Sequence, residues 1–203
     1  QASGAFGGMI PLDDFRVQRL WPTSTATGGG TGRGLSDTEV NRIMGVWRSY
    51  LPTLVLGVRM DPLAVSTPFS YVTIYVAQYP GPYAVGKQIG DTITLSDFRG
   101  YRNAQLAKAA TFGAGVKVNL QPNFLHGGSI DGYNIGDQWP HPYITPAELV
   151  LISQAWYDDG GGANVGRIYG STGFMYRPEY VALTGMWDAL TYMHNGVMSL
   201  PPL

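Results

Sequence analysis

The chain has 203 residues, of which only 13% are charged, about half the ~25% usual in soluble domains. Cysteine is absent, which excludes disulfides and thiolate metal sites, and no apolar run approaches the ~18 residues of a membrane span. Lys and Glu number three each, while 28 Gly, 14 Pro and 13 Tyr fill their place; such a surface belongs outside the cell or against copies of itself, because aromatic side chains favour interfaces and Lys and Glu do not.

The length suits a single domain over residues 1–203, and the 44% hydrophobic content is ample for its core. Gln1 in place of Met is expected of a chain that has lost a leader or is part of something longer. The net charge of −1 is unevenly spread. Residues 1–120 carry 11 basic and 7 acidic groups, residues 121–203 carry 2 and 7. That split predicts one mildly basic and one acidic face, although so few charges can also fall unevenly by chance.

Taken along the chain, the pattern predicts strands at residues 15–21, 53–60, 69–79, 92–95, 115–120, 149–157 and 167–183, the last broken near 170–173. Segment 69–79 is the clearest. It sets Val72, Ile74 and Val76 on one face and Phe69, Tyr71, Thr73 and Tyr75 on the other, as in a strand covered on both sides. Helices are expected to be few. Ser36 and Glu39 form a capping box ahead of Val40, Ile43, Met44 and Trp47 at helical spacing, until Pro52 stops the run. Residues 96–101 suit one capped turn, and residues 184–194 a helix ended by Asn195-Gly196. Gly-rich residues 27–34 and residues 126–145 read as long loops. Strands without regular helical alternation predict an all-β fold, an antiparallel β-sandwich with a few short helices.

Catalytic motifs are lacking, and no enzyme activity is expected. Residues 81–88 nearly spell a phosphate loop, but Gln88 replaces the metal-binding hydroxyl, Pro82 removes an amide, and a strand pattern follows. His126, His141 and His194 lack the spacing of a helical metal pair, and residues 170–173 lack that of a nucleophile elbow. Asp158 and Asp159 beside Gly160 to Gly162 are the first candidates for a hard cation such as Ca²⁺, against the simpler reading of a solvated turn. Arg42, Arg48, Arg59, Arg99, Arg102, Lys108 and Lys117, interleaved with Trp47, Tyr50, Phe98, Tyr101 and Phe112, are candidates to face nucleic acid.

One stretch goes beyond composition. Leu95-Ser96-Asp97-Phe98, Tyr101-Arg102-Asn103-Ala104 and Lys117 to Pro122 follow in an order that resembles the middle of single jelly-roll capsid proteins of small circular single-stranded DNA viruses. Residues 47–62 resemble the strand ending in an aromatic or charged residue and Pro, and residues 165–183 the last strand pair. The Arg-rich arm with which such proteins begin has no counterpart before Arg16. The resemblance implies a viral jelly roll and a virion subunit that assembles with itself into a shell around genomic nucleic acid, with no membrane partner. Two alternatives stand beside it. One is a tail or fibre component of a phage. The other is a secreted β-sandwich module for carbohydrate or surface binding, using Trp139, Tyr133, Tyr143 and Trp156 as platforms.

Overall fold

A computed structural model of the chain describes residues 8–12, 36–78, 91–121, 128–130, 133–135, 145–158, 168–171 and 182–198. In chain order its elements are β1 (Gly8–Leu12), α1 (Asp37–Tyr50), β2 (Val55–Val58), a 3-10 turn (Pro62–Ala64), β3 (Val72–Gln78), α2 (Leu95–Ala110), β4 (Lys117–Gln121), β5 (Gly128–Ile130), β6 (Tyr133–Ile135), α3 (Pro146–Ser153), a π-helical turn (Gln154–Asp158), β7 (Ile168–Ser171) and α4 (Met186–Met198). Strands β1, β2, β3, β4 and β7 lie side by side in that order, every neighbouring pair parallel. The only antiparallel pair among the described residues is the short hairpin β5–β6, with Ile130 opposite Tyr133 and Asp131-Gly132 between them.

The expected antiparallel β-sandwich is therefore corrected to a mixed α/β fold, and the jelly roll goes with it. Apolar residues on both faces of residues 72–78 do mark a strand covered on both sides. Covering by helices on a parallel sheet leaves the same mark as covering by a second sheet. Parallel neighbours must be joined by crossovers of a dozen or more residues, and these carry α1, the 3-10 turn, α2 and α3. The strand order never reverses. Crossovers of one hand that always advance in one direction all fall on one face, the winding found in the wall of a (β/α) barrel.

The helices begin where their residues dictate. Ser36 caps α1, Thr94 caps α2 and Thr145 caps α3, each accepting from the third amide, while Glu39, Asp97 and Glu148 reach back to the cap amide at 2.7, 2.8 and 2.8 Å. Residues 96–101, read as one turn, belong to a helix of 16 residues that buries Phe98, Arg102, Gln105, Leu106 and Ala109, a helical progression along one face. Residues 92–94, read as strand, lead into it. The apolar run 149–157 is not a strand either. Helix α3 and the π-helical turn bury Leu149, Ile152, Ser153, Ala155 and Trp156, and half-bury Val150 and Leu151. A helix apolar on most sides lacks the polar face by which periodicity would reveal it. Of the strand expected at 167–183, residues 168–171 form β7 and most of the rest falls outside the described residues, as do the strand expected at 15–21, the Gly-rich stretch 27–34 and the phosphate-loop likeness at 81–88.

One cluster joins the helices to the sheet: Val40 and Met44 of α1, Leu106 and Ala109 of α2, Leu149 and Ile152 of α3, and Met186 and Ala189 of α4, with Leu56, Val58, Tyr75, Ala77, Val118 and Leu120. Helix α4 runs past the stop expected at Asn195-Gly196 to Met198, and Gly196 explains why it packs. A Cβ built there would stand 2.6 Å from Cδ2, 2.9 Å from Cγ and 3.1 Å from Cβ of Tyr157. Only glycine lets α4 lie so close to the π-helical turn. Gly196→Ala is expected to lower stability by about 1–3 kcal/mol through overpacking, read from the midpoint of denaturant unfolding; an unchanged midpoint would show that Tyr157 moves aside freely.

Candidate functional site

Because the five strands are parallel, the residues that end or follow them meet at one edge of the sheet. Connections at such an edge vary freely over a fixed sheet, which is why sites in wound α/β folds form there. That edge holds Arg59 and Asp61 after β2, Gln78 at the end of β3, Gln121 at the end of β4 and Ser171 at the end of β7, with Asn119 two residues further in along β4.

The register assigns these positions to faces. Val58, Tyr75, Val118 and Ile168 form one row, and all four belong to the helix-side core. The alternate row is Val76 and Asn119, with Ile74 and Lys117 below it; Gly57 pairs with Ile74 and Gly170 with Asn119 across register shifts in β2–β3 and β4–β7. Ile74 and Val76 are only 3% and 1% exposed, yet neither belongs to the helix-side cluster. The second face of the sheet is thus covered too. Asn119 lies in the middle of it, 4% exposed, and its Oδ1 is buried with no hydrogen-bond partner. An unpaired buried acceptor forfeits the hydrogen bonds that water gives it in the unfolded chain. Neighbouring Val76 offers no donor, and Gly170 no side chain at all.

Behind the edge, a polar network ties β2 to α2. The Asp61 carboxylate accepts from the Tyr101 hydroxyl at 3.1 Å and from Gln105 Nε2 at 2.9 Å, while Gln105 Oε1 accepts from the Leu63 amide at 3.4 Å. Burial, and then the Asp61 charge beside it, push the Tyr101 hydroxyl well above its ordinary range, so it stays protonated and donates. Burial likewise raises Tyr75, whose hydroxyl accepts from the Phe69 amide at 2.9 Å. Arg102, 2% exposed, donates from Nη1 to the Ala155 carbonyl and from Nε and Nη2 to Asn103 Oδ1 at 3.1 and 3.0 Å. It fastens α2 to the π-helical turn. Trp156 packs there as well, 6.4 Å from the Tyr101 ring and 1% exposed; it is part of the core, which corrects its reading as an exposed binding platform.

The seven basic candidates do not share a surface. Arg59 and Arg102 are buried, and Arg42 is exposed on α1. Arg48 donates to the Pro52 carbonyl at 2.6 Å and lies 6.0 Å from the Tyr71 ring centre. Arg99 is half-buried on α2, and Lys108 stands 5.3 Å over the Phe112 ring. Lys117 begins β4, at the edge of the sheet away from Arg59. Among the described residues no three His, Cys, Asp or Glu gather to hold a metal ion. Asp158 closes the π-helical turn, and Asp159 lies outside the described residues, as do His126, His141, Trp139 and Tyr143. No described helix is long and apolar enough to cross a membrane.

The one signal of Asn119 in the sequence is a lone carboxamide between the apolar Val118 and Leu120. If its unpaired oxygen serves a site rather than the fold, removing it relieves the protein. Asn119→Leu, which keeps the branching and the number of side-chain heavy atoms, and the smaller Asn119→Val are expected to raise stability by about 1–3 kcal/mol, seen as a higher unfolding midpoint; a lower one in both would mean that the carboxamide supports the fold.

Comparison with protein families, with curated proteins and with solved structures found no match for this chain.

Proposed function

We propose that this chain is a small-molecule-binding domain whose site lies at the carboxyl edge of the parallel sheet, on the face turned away from the helices. Asn119 carries the reading. Folded proteins keep few buried polar atoms unpaired, and those they keep call for an explanation; a ligand donor to Oδ1 supplies one. Arg59, Asp61, Gln78, Gln121 and Ser171 occupy the same edge by topology, and the Asp61–Tyr101–Gln105 network holds the segment after β2 in place against α2. A thermal-shift screen of polar metabolites tests it. At least one compound is expected to stabilise the wild type and to lose that effect in Asn119→Leu, while Arg42→Ala on the exposed face of α1 responds as the wild type does. Stabilisation that never depends on Asn119 would remove the proposal.

A second reading keeps the self-association expected from composition, without the jelly roll. The last two turns of α1 and the capping Leu51 expose Val46, Trp47, Tyr50 and Leu51 at 51, 37, 79 and 36%, and Tyr71, 54% exposed, lies beside Gly45 and Arg48 of the same turns. Tyr71 is held at φ 66°, a left-handed conformation that costs a residue other than glycine about 1–3 kcal/mol. An aromatic patch with a single cation is the composition of an interface core, and a second copy of this chain, with equally few charges to repel it, is the partner that patch fits. Light scattering is expected to show oligomers or particles that Tyr50→Lys together with Tyr71→Lys reduce to monomer; a wild-type monomer at high concentration would end this reading and, with it, the virion subunit.

A further inference from the structure

We infer that two copies of this chain, and no more, join about a two-fold axis through the aromatic face at the end of α1; the inference rests on the self-association proposed above and adds its geometry. The large apolar side chains that the described residues expose are Val46, Trp47, Tyr50, Leu51, Leu63, Tyr71 and Trp187. Five of them gather where α1 ends. Leu63 and Trp187 stand apart, on the turn after β2 and on α4. A contact between copies joins a patch either to its own equivalent or to a different patch, and the second kind adds copies until a ring closes. One patch among the described residues supplies the first kind, which closes at two. Its place suits a pair as well. Leu51 to Leu54 lead into β2, and Tyr71 immediately precedes β3. The patch therefore lies at the amino edge of the sheet, and pairing there leaves the carboxyl edge clear of the contact.

Covering this face costs little. Arg48 Nη1 donates to the Pro52 carbonyl at 2.6 Å, Ser49 Oγ to the Val46 carbonyl at 2.7 Å, and the Ser70 amide to Asn41 Oδ1 at 2.7 Å. Polar groups already paired within the chain forfeit few bonds to water when a partner arrives. The Phe69 and Ser70 amides, bound to the Tyr75 hydroxyl and to Asn41, also fix the turn that holds Tyr71 left-handed. Its ring is set in place beforehand, which lowers the ordering cost of association. At about 200 Å² per aromatic side chain, the open parts of Trp47, Tyr50 and Tyr71 come to about 340 Å². Val46 and Leu51 bring this to about the apolar half of a standard interface, which buries about 800 Å² per copy. Other occupants fit less well. Nucleic acid or an anionic membrane asks for several cations, and the last two turns of α1 carry only Arg48, already on a carbonyl. A saccharide asks for polar groups to meet its hydroxyls, and Arg48 and Ser49 are spent. A second copy brings the same rings and the same scarcity of charge.

The chain has no cysteine, so a single introduced thiol tests the axis. Residues beside a two-fold axis face their own equivalents, and a disulfide forms only where two Cα atoms come within about 7 Å. Val46→Cys, Ser49→Cys and Tyr50→Cys are made singly in the full chain, with Ala107→Cys on the exposed side of α2 as the control. Sedimentation is expected to give a dimer for the wild type. On mild oxidation at least one of the three patch thiols is expected to link two copies, well ahead of Ala107→Cys. Tyr50→Lys together with Tyr71→Lys is expected to weaken the dimer about a hundredfold or more, because like charges then meet across the axis. Circular dichroism of each variant establishes that it is folded. A wild-type monomer overturns the self-association and the inference together. Assemblies larger than two that the lysines disperse keep the self-association and overturn the two-fold pair. A dimer that the lysines leave intact overturns the use of this face in both. A dimer that the lysines disperse, but in which no patch thiol links faster than Ala107→Cys, overturns the two-fold axis alone.

Discussion

The fold depends on one constraint: a parallel sheet has to be covered on both faces. Each strand is reached only by a long crossover, and the crossovers supply the helices that cover one face. Tyr75, Ala77, Val118 and Leu120 meet those helices, and their burial accounts for the main core. The same constraint acts on the other face, where Ile74 and Val76 are sealed from solvent outside that core. Asn119 is where the two demands conflict. Its row requires burial, and its chemistry requires a partner.

The polar network behind the edge shows how the fold resolves that conflict elsewhere. Asp61, Tyr101 and Gln105 satisfy one another across the gap between the segment after β2 and α2, and Arg102 carries its charge into the interior by donating to a carbonyl of the π-helical turn. Buried polar groups that are paired rigidify the elements they join. Where Arg102 and Gln105 each found several acceptors or donors, Asn119 Oδ1 found none.

Much of the local structure was legible in the residues, and little of its arrangement. The strands β2, β3 and β4, the capped start of α1 and most of α4 follow from alternation, capping and helical spacing. What alternation cannot express is the direction of a neighbour, because parallel pairing is settled by contacts far apart in sequence. Residues 149–157 show a second limit: Thr145, Pro146 and Glu148 spell a helix start, but the apolar run behind them reads equally as a buried strand. Helix α2 shows a third, since buried Arg102 and Gln105 interrupt the apolar stripe by which a helix face is recognised. The candidate site was legible only as a single polar residue out of place in β4; its setting needed the register of three strands. The capsid resemblance drew on the order of residues 95–122, which the chain folds as a helix followed by a parallel strand.

The three capping boxes have an electrostatic consequence for the carboxyl edge. Helices α1, α2 and α3 each leave a strand at that edge and run back along the sheet, so their positive ends gather around it. An open helix start is a natural seat for phosphate or carboxylate. Here Glu39, Asp97 and Glu148 already occupy those seats, each bound to the cap amide of its own helix. The chain has filled from within the positions an anionic ligand would otherwise take. Among the described residues of that edge the remaining charges after β2, Arg59 and Asp61, are engaged with other groups of the protein, so its electrostatics are spent on holding the fold together.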